Sequence, residues 1–70
     1  MKMKPETFAA LKAAVVPIMK HMAPLGELNK RRQWDCLWAS KFPVSRLYDE
    51  GLYDNHIDTA LRAIAAEVQP

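Results

Sequence analysis

Leu47–Arg62, LYDEGLYDNHIDTALR, writes a helix stop, a connector and a helix start in one short stretch. Gly51 is placed to take the left-handed conformation that ends a short helix, and Leu52 can then fold back on Leu47, the apolar contact of a Schellman stop. Asn55 suits an N-cap, and Asp58, three residues on, stands where a capping-box acid would sit. Asp54 and Asp58 also favour the positive end of a helix dipole. Ile57, Ala60, Leu61, Ile64, Ala65 and Val68 then recur at helical spacing and form the cleanest amphipathic stripe in the chain.

Upstream of this junction the pattern stays helical. Phe42-Pro43 ends one helix, and Pro43 can open the short helix Val44 to Glu50. The preceding helix runs from Glu27 or Asn29 to Ser40. Trp34, Leu37 and Trp38 share one of its faces, and Phe42 extends that face beyond the helix end. Cys36 points the opposite way, toward Arg32 and Ser40, and is expected to be at least partly exposed. The first helix opens at Pro5, with Phe8, Leu11, Val15, Ile18, Met19 and Met22 as its apolar stripe. Pro17 is expected to kink it or make it restart near Val16. Ala23, Pro24, Leu25 and Gly26 end it. No stretch alternates long enough to make a strand. The expected fold is all-α: one domain, a small bundle of three main helices plus a short helix before the last.

A chain of 70 residues has little core to spend, since at this size folding buries only about 60% of the unfolded surface. Cys36 is the single cysteine, which excludes an internal disulfide and suits a reducing compartment. With His21 and His56 it makes a poor zinc set, and no cofactor is expected. Basic residues precede an apolar stretch at the N-terminus, but Lys12 and Pro17 break it and no cleavage site follows. No run reaches the roughly 18 to 20 apolar residues of a membrane span. The expectation is a cytoplasmic protein without a membrane partner, stabilised by helix packing or by self-association.

The net charge of +2 hides a lopsided distribution. Residues 1–46 carry nine cations against three acids, and residues 47–70 carry one cation against five acids. Such a split can bind an anionic partner with one face, or the halves can simply attract each other across the fold.

No motif points to catalysis. His56, Asp58 and Thr59 invite a catalytic reading, yet residues two apart on a helix do not face each other. No phosphate loop, HExxH or pair of carboxylates in an apolar setting is present. The junction has a helix-turn-helix cadence, but its second helix offers Asp54, Asn55, Asp58 and Glu67 with Arg62 alone as a cation, which opposes phosphate binding. Two candidate surfaces remain. One is acidic and aromatic, with Tyr48, Asp49, Glu50, Tyr53, Asp54, His56 and Asp58 presented to a protein. The other is Lys30, Arg31 and Arg32, a nucleic-acid contact or a solvated helix face. Trp34, Trp38 and Phe42 read as core, although one Trp could lie at an interface, where Trp and Arg dominate binding energy.

Arg32-x-Trp34-Asp35 with Leu37-x-Ala39, followed by Asp54-x-His56-Ile57-Asp58-Thr59-Ala60-Leu61-Arg62, resembles small phage- and prophage-encoded helical proteins. In these an RWD-type element precedes an NDxHIDTALR-like helix. The resemblance spans residues 30–65, and Tyr53-Asp54 stands where the pattern has Asn-Asp. It implies a phage origin and a helical fold, and it carries no activity or site residue. The expected function is therefore a non-enzymatic phage-type module that binds a host protein or protein–nucleic acid complex as an inhibitor of host defence, anti-CRISPR action being one form. The alternatives are a nucleic-acid-binding protein using Lys30–Arg32 and a structural homodimer with Trp34 or Trp38 at its interface.

Overall fold

In the computed structural model, which describes residues 2–69, the chain forms four α-helices: α1 (Pro5–Met22), α2 (Lys30–Ala39), α3 (Val44–Asp49) and α4 (Asp54–Val68). A single 3-10 turn, Ala23–Leu25, extends α1. The described residues contain no strand, and α1, α2 and α4 each pack on the other two. This is the expected bundle of three main helices with a short one before the last.

The core follows the helical stripes. Leu11, Val15 and Met19 of α1 are fully buried, as are Ile57, Ala60, Leu61 and Ile64 of α4. Burying a Leu or Ile side chain contributes about 1.5–3 kcal/mol. Ile57, Leu61 and Ile64 together therefore contribute about 4.5–9 kcal/mol of gross burial, much of it offset by the entropy of ordering the chain. Pro17 does not make α1 restart, because both it and Ala13 lie on the exposed side of the helix. Water can take the Ala13 carbonyl that the proline leaves without a donor. By length and composition Pro5–Leu25 is also apolar enough to cross a membrane, at a mean hydropathy of 1.2, more than the residue pattern implied. In the folded chain its Leu11–Val15–Met19 side is core.

α2 departs most from expectation. Cys36 is fully buried and Trp38 is 61% exposed, the reverse of the pattern read from the helix alone. The inward face is Gln33, Cys36 and Leu37, about a quarter turn away from the Trp34–Leu37–Trp38 face at 100° per residue. Two contacts make this orientation tolerable. Gln33 Nε2 donates to the Leu28 carbonyl at 2.7 Å, so its amide is buried but satisfied. The Cys36 thiol lies 3.4 Å from Met22 Sδ of α1, and burial pushes its pKa up.

The helix ends show the capping chemistry directly. At the end of α3 the Leu52 N–H donates to the Leu47 carbonyl at 3.2 Å, and the Gly51 N–H to Tyr48 at 2.9 Å, with Gly51 at φ +83°. Both Schellman bonds are present, and Leu47 and Leu52 are both buried, as expected. α2 ends by a variant of the same device. Lys41 takes the left-handed position at φ 60° and its N–H donates to Trp38. The second bond is relayed: the Phe42 N–H donates to Ser40 Oγ, which donates to the Leu37 carbonyl at 2.6 Å.

An L-residue in this conformation is strained by about 1–2 kcal/mol. Lys41→Gly should thus raise stability in urea unfolding by about 0.5–1 kcal/mol, after the added freedom of the unfolded chain is subtracted. Gly51→Ala should lower it by a similar amount.

Candidate functional site

The acidic and basic candidates lie far apart in sequence but meet at α4. Asp54, Asp58 and Arg62 are spaced one turn apart along one side of that helix. Asp58 accepts a hydrogen bond from the Trp34 indole N–H and pairs with Lys30 Nζ at 3.2 Å, so its carboxylate ties α4 to α2. Asp54, about 6 Å away along the helix axis, accepts from the Tyr48 hydroxyl of α3 at 2.6 Å. One edge of α4 therefore holds an aromatic residue from each of the two preceding helices.

These contacts divide the predicted acidic surface. Asp58 and Glu50 are spent inside the fold. Thr7 Oγ1, itself buried, donates to Glu50 Oε1 at 2.7 Å, and Arg46 Nε lies 3.7 Å from its other oxygen. The exposed remainder is Tyr48, Asp49, Tyr53 and Asp54, with His56 half-buried beside them. Tyr53 is 68% exposed, and its ring sits 5.8 Å from the His56 imidazole.

His56 has a structural task that the sequence did not show. Its Nδ1 accepts the Tyr53 backbone N–H at 2.9 Å and closes the start of α4. The helix consequently begins at Asp54, not after an Asn55 cap. Asp58 makes no capping-box bond, because Trp34 and Lys30 hold its carboxylate. Burial pushes the Asp58 pKa up, but the Trp34 and Lys30 hydrogen bonds and the charges of Lys30 and Arg62 outweigh it and hold the carboxyl below the usual aspartate range. On Tyr48 the bond to Asp54 pushes the hydroxyl pKa up, and burial and the Asp54 charge add to it.

The basic cluster is partly engaged as well. Lys30 is paired with Asp58, and Arg32 Nη1 donates to the Glu27 carbonyl at 3.4 Å, over Gly26. Arg31 is exposed. All three cations occupy the first turn of α2, the positive end of its dipole, where cations are unfavourable. The Asn29 side chain, which accepts the Arg32 N–H at 3.0 Å, and Asp58 offset that placement.

The sequence pattern predicts Trp38 in the core, yet it is the most exposed aromatic of α2. Its ring lies 6.4 Å from Trp34, tilted by 37°, so the Asp58-anchored Trp34 supports it from beneath. Trp38 shares the outward side of the helix with Arg31, two turns before it. The warning sign in the sequence was the cysteine: a small apolar residue and a cappable glutamine fill a tight interhelical seam better than two indoles. Among the described residues, no group of three or more His, Cys, Asp or Glu side chains gathers to hold a metal ion.

Two measurements test this geometry. Because the folded pKa of Asp58 is depressed, its contribution is complete above the ordinary aspartate value of about 3.9 and is lost as pH falls through the lower folded value. Asp58→Asn should lower stability at neutral pH by about 1.5–2 kcal/mol and flatten that acid limb in pH-dependent denaturation. His56→Ala should cost about 1 kcal/mol as a lost cap, whereas His56→Gln should recover most of it, since Gln at this position can reach the same N–H.

No family model, no curated protein and no solved structure matches this chain.

Proposed function

We propose that this chain is a non-enzymatic interaction module of phage type, which binds a host protein through the aromatic edge where α2 and α3 meet α4 and acts as an inhibitor of host defence. The observation that carries the reading is the exposed Trp38, 61% accessible and tilted against an anchored Trp34. A large apolar side chain supported in place loses little conformational freedom on binding, which is why Trp and Tyr act as interface anchors. Tyr53 and Tyr48 extend the aromatic surface past Asp54, and Arg31 rims the other end. The phage assignment comes from the resemblance of residues 30–65, and the inhibitory role from the habit of phage accessory proteins of this size to redirect host macromolecules.

A second reading is favoured by one specific observation. Arg31 and Trp38 share the outward side of α2, and its three first-turn cations sit against the dipole. Basic residues interleaved with an exposed aromatic ring form the kind of surface on which single-stranded nucleic acid stacks. The protein reading ranks first because Asp58 neutralises Lys30 and Arg32 is turned onto the backbone.

Affinity capture from bacterial lysate at moderate salt, repeated with variants, tests both. The proposal expects a specific protein partner retained by the wild type, lost with Trp38→Ala and weakened with Tyr53→Ala, with unchanged thermal unfolding of both variants. A partner indifferent to Trp38, or no partner at either low or moderate salt, overturns it. If a low-salt gel shift instead shows binding that Arg31→Gln and Arg32→Gln weaken and that falls steeply with salt, the nucleic-acid reading replaces it.

A further inference from the structure

The outward side of α1, opposite its core stripe, carries Glu6, Ala9, Ala13, Pro17 and Lys20, all exposed. Ala9, Ala13 and Pro17, with Lys12 and Val16 as walls, line an open groove of about 390 Å³ whose surface is almost entirely apolar. Lys12 is drawn aside by its 2.7 Å pair with Glu67 of α4, which leaves the groove floor clear. The order of residues along this face is symmetric in position and opposite in charge. Ala9 and Pro17 stand four residues before and after Ala13, and Glu6 and Lys20 stand seven before and after it. Among the described residues, neither Glu6 nor Lys20 takes part in an ion pair within the chain.

We infer that this face is a homodimer interface, occupied by α1 of a second copy running antiparallel across a two-fold axis at Ala13. That operator sets Ala9 against Pro17 of the other copy, and Glu6 against its Lys20, twice over. A two-fold contact requires a patch complementary to itself, and a helix with an acid at one end, a cation at the other and small residues between meets the requirement. The same order on a parallel pair would put Glu6 against Glu6. Small residues let the two helix backbones approach closely. The helix offers a strip about 27 Å long and 10 Å wide, smaller than the roughly 800 Å² per partner of a standard interface. Association is therefore concentration-dependent. It leaves the α2–α4 aromatic edge free, so it stands apart from the proposed partner site.

Sedimentation equilibrium from micromolar to millimolar protein tests the inference. The expected result is a monomer–dimer equilibrium that Ala13→Glu abolishes, by setting two carboxylates on the axis, without altering the circular dichroism melt. Glu6→Lys should raise the dissociation constant about tenfold, from two lost exposed pairs and the repulsion that replaces them. Adding Lys20→Glu to it should restore the original value. Trp38→Ala should leave the equilibrium unchanged. A monomer at every concentration, a dimer that survives Ala13→Glu, or a double exchange without recovery overturns the inference. So does a monomer that co-sediments with phosphatidylcholine–phosphatidylglycerol vesicles unless Ala13→Glu is present, because that result assigns the face to lipid.

Discussion

The carboxylate of Asp58 is the point on which the surface architecture depends. It takes the Trp34 N–H and the Lys30 ammonium together, and so fixes how α2 lies against α4. Each partner needs the other. An indole N–H buried at a helix seam costs free energy if unmet, and a half-buried carboxylate needs donors to stay ionised. Once Trp34 is held there, α2 turns Gln33, Cys36 and Leu37 inward and Trp38 outward. The exposed indole thus goes together with the half-buried Trp34–Asp58 bond.

The remaining polar contacts repeat the device on a smaller scale. Thr7 holds Glu50 at the end of α3, and Tyr48 holds Asp54 at the start of α4. Both link elements that share few apolar residues, since α3 contributes only Val44 and Leu47 to the core. A chain of this size cannot fasten every element by burial alone. Polar clasps at the helix ends supply what the core lacks, and no buried polar side-chain atom among the described residues is left without a partner.

Where the sequence was legible, the signal was local. The α4 stripe, the α1 stripe and the Gly51 stop each rest on spacing within a few residues, and each stands in the structure as read. The misreadings of Asp58 and Cys36 involve contacts across the chain, whereas those of the α4 cap and the Lys41 stop are local but use residues that seldom fill such positions. Asn55 and Asp58 looked like caps because no local pattern shows that His56 will take the Tyr53 N–H or that Trp34 will claim Asp58. Cys36 looked exposed because a helical wheel of α2 sees one apolar face, while the helix is wedged between α1 and α4 and buries the side that fits both. The Lys41 stop was hidden because the left-handed position normally announces itself with glycine. Of the candidate site, the residue types were visible, but which acids are consumed internally and which aromatic ring is left outside were decided by the packing of α2.

The central claim is that the Trp34–Asp58 bond sets the orientation of α2. A double-mutant cycle tests it most directly, with Trp34→Phe removing the indole N–H while keeping a ring, and Asp58→Asn removing the charge. Stability of the wild type, both single variants and the double variant would be measured by urea unfolding at neutral pH. The account predicts a coupling of about 1–1.5 kcal/mol, the double variant losing less than the two singles combined. Losses that simply add, within about 0.3 kcal/mol, would contradict it and leave the exposure of Trp38 without its cause.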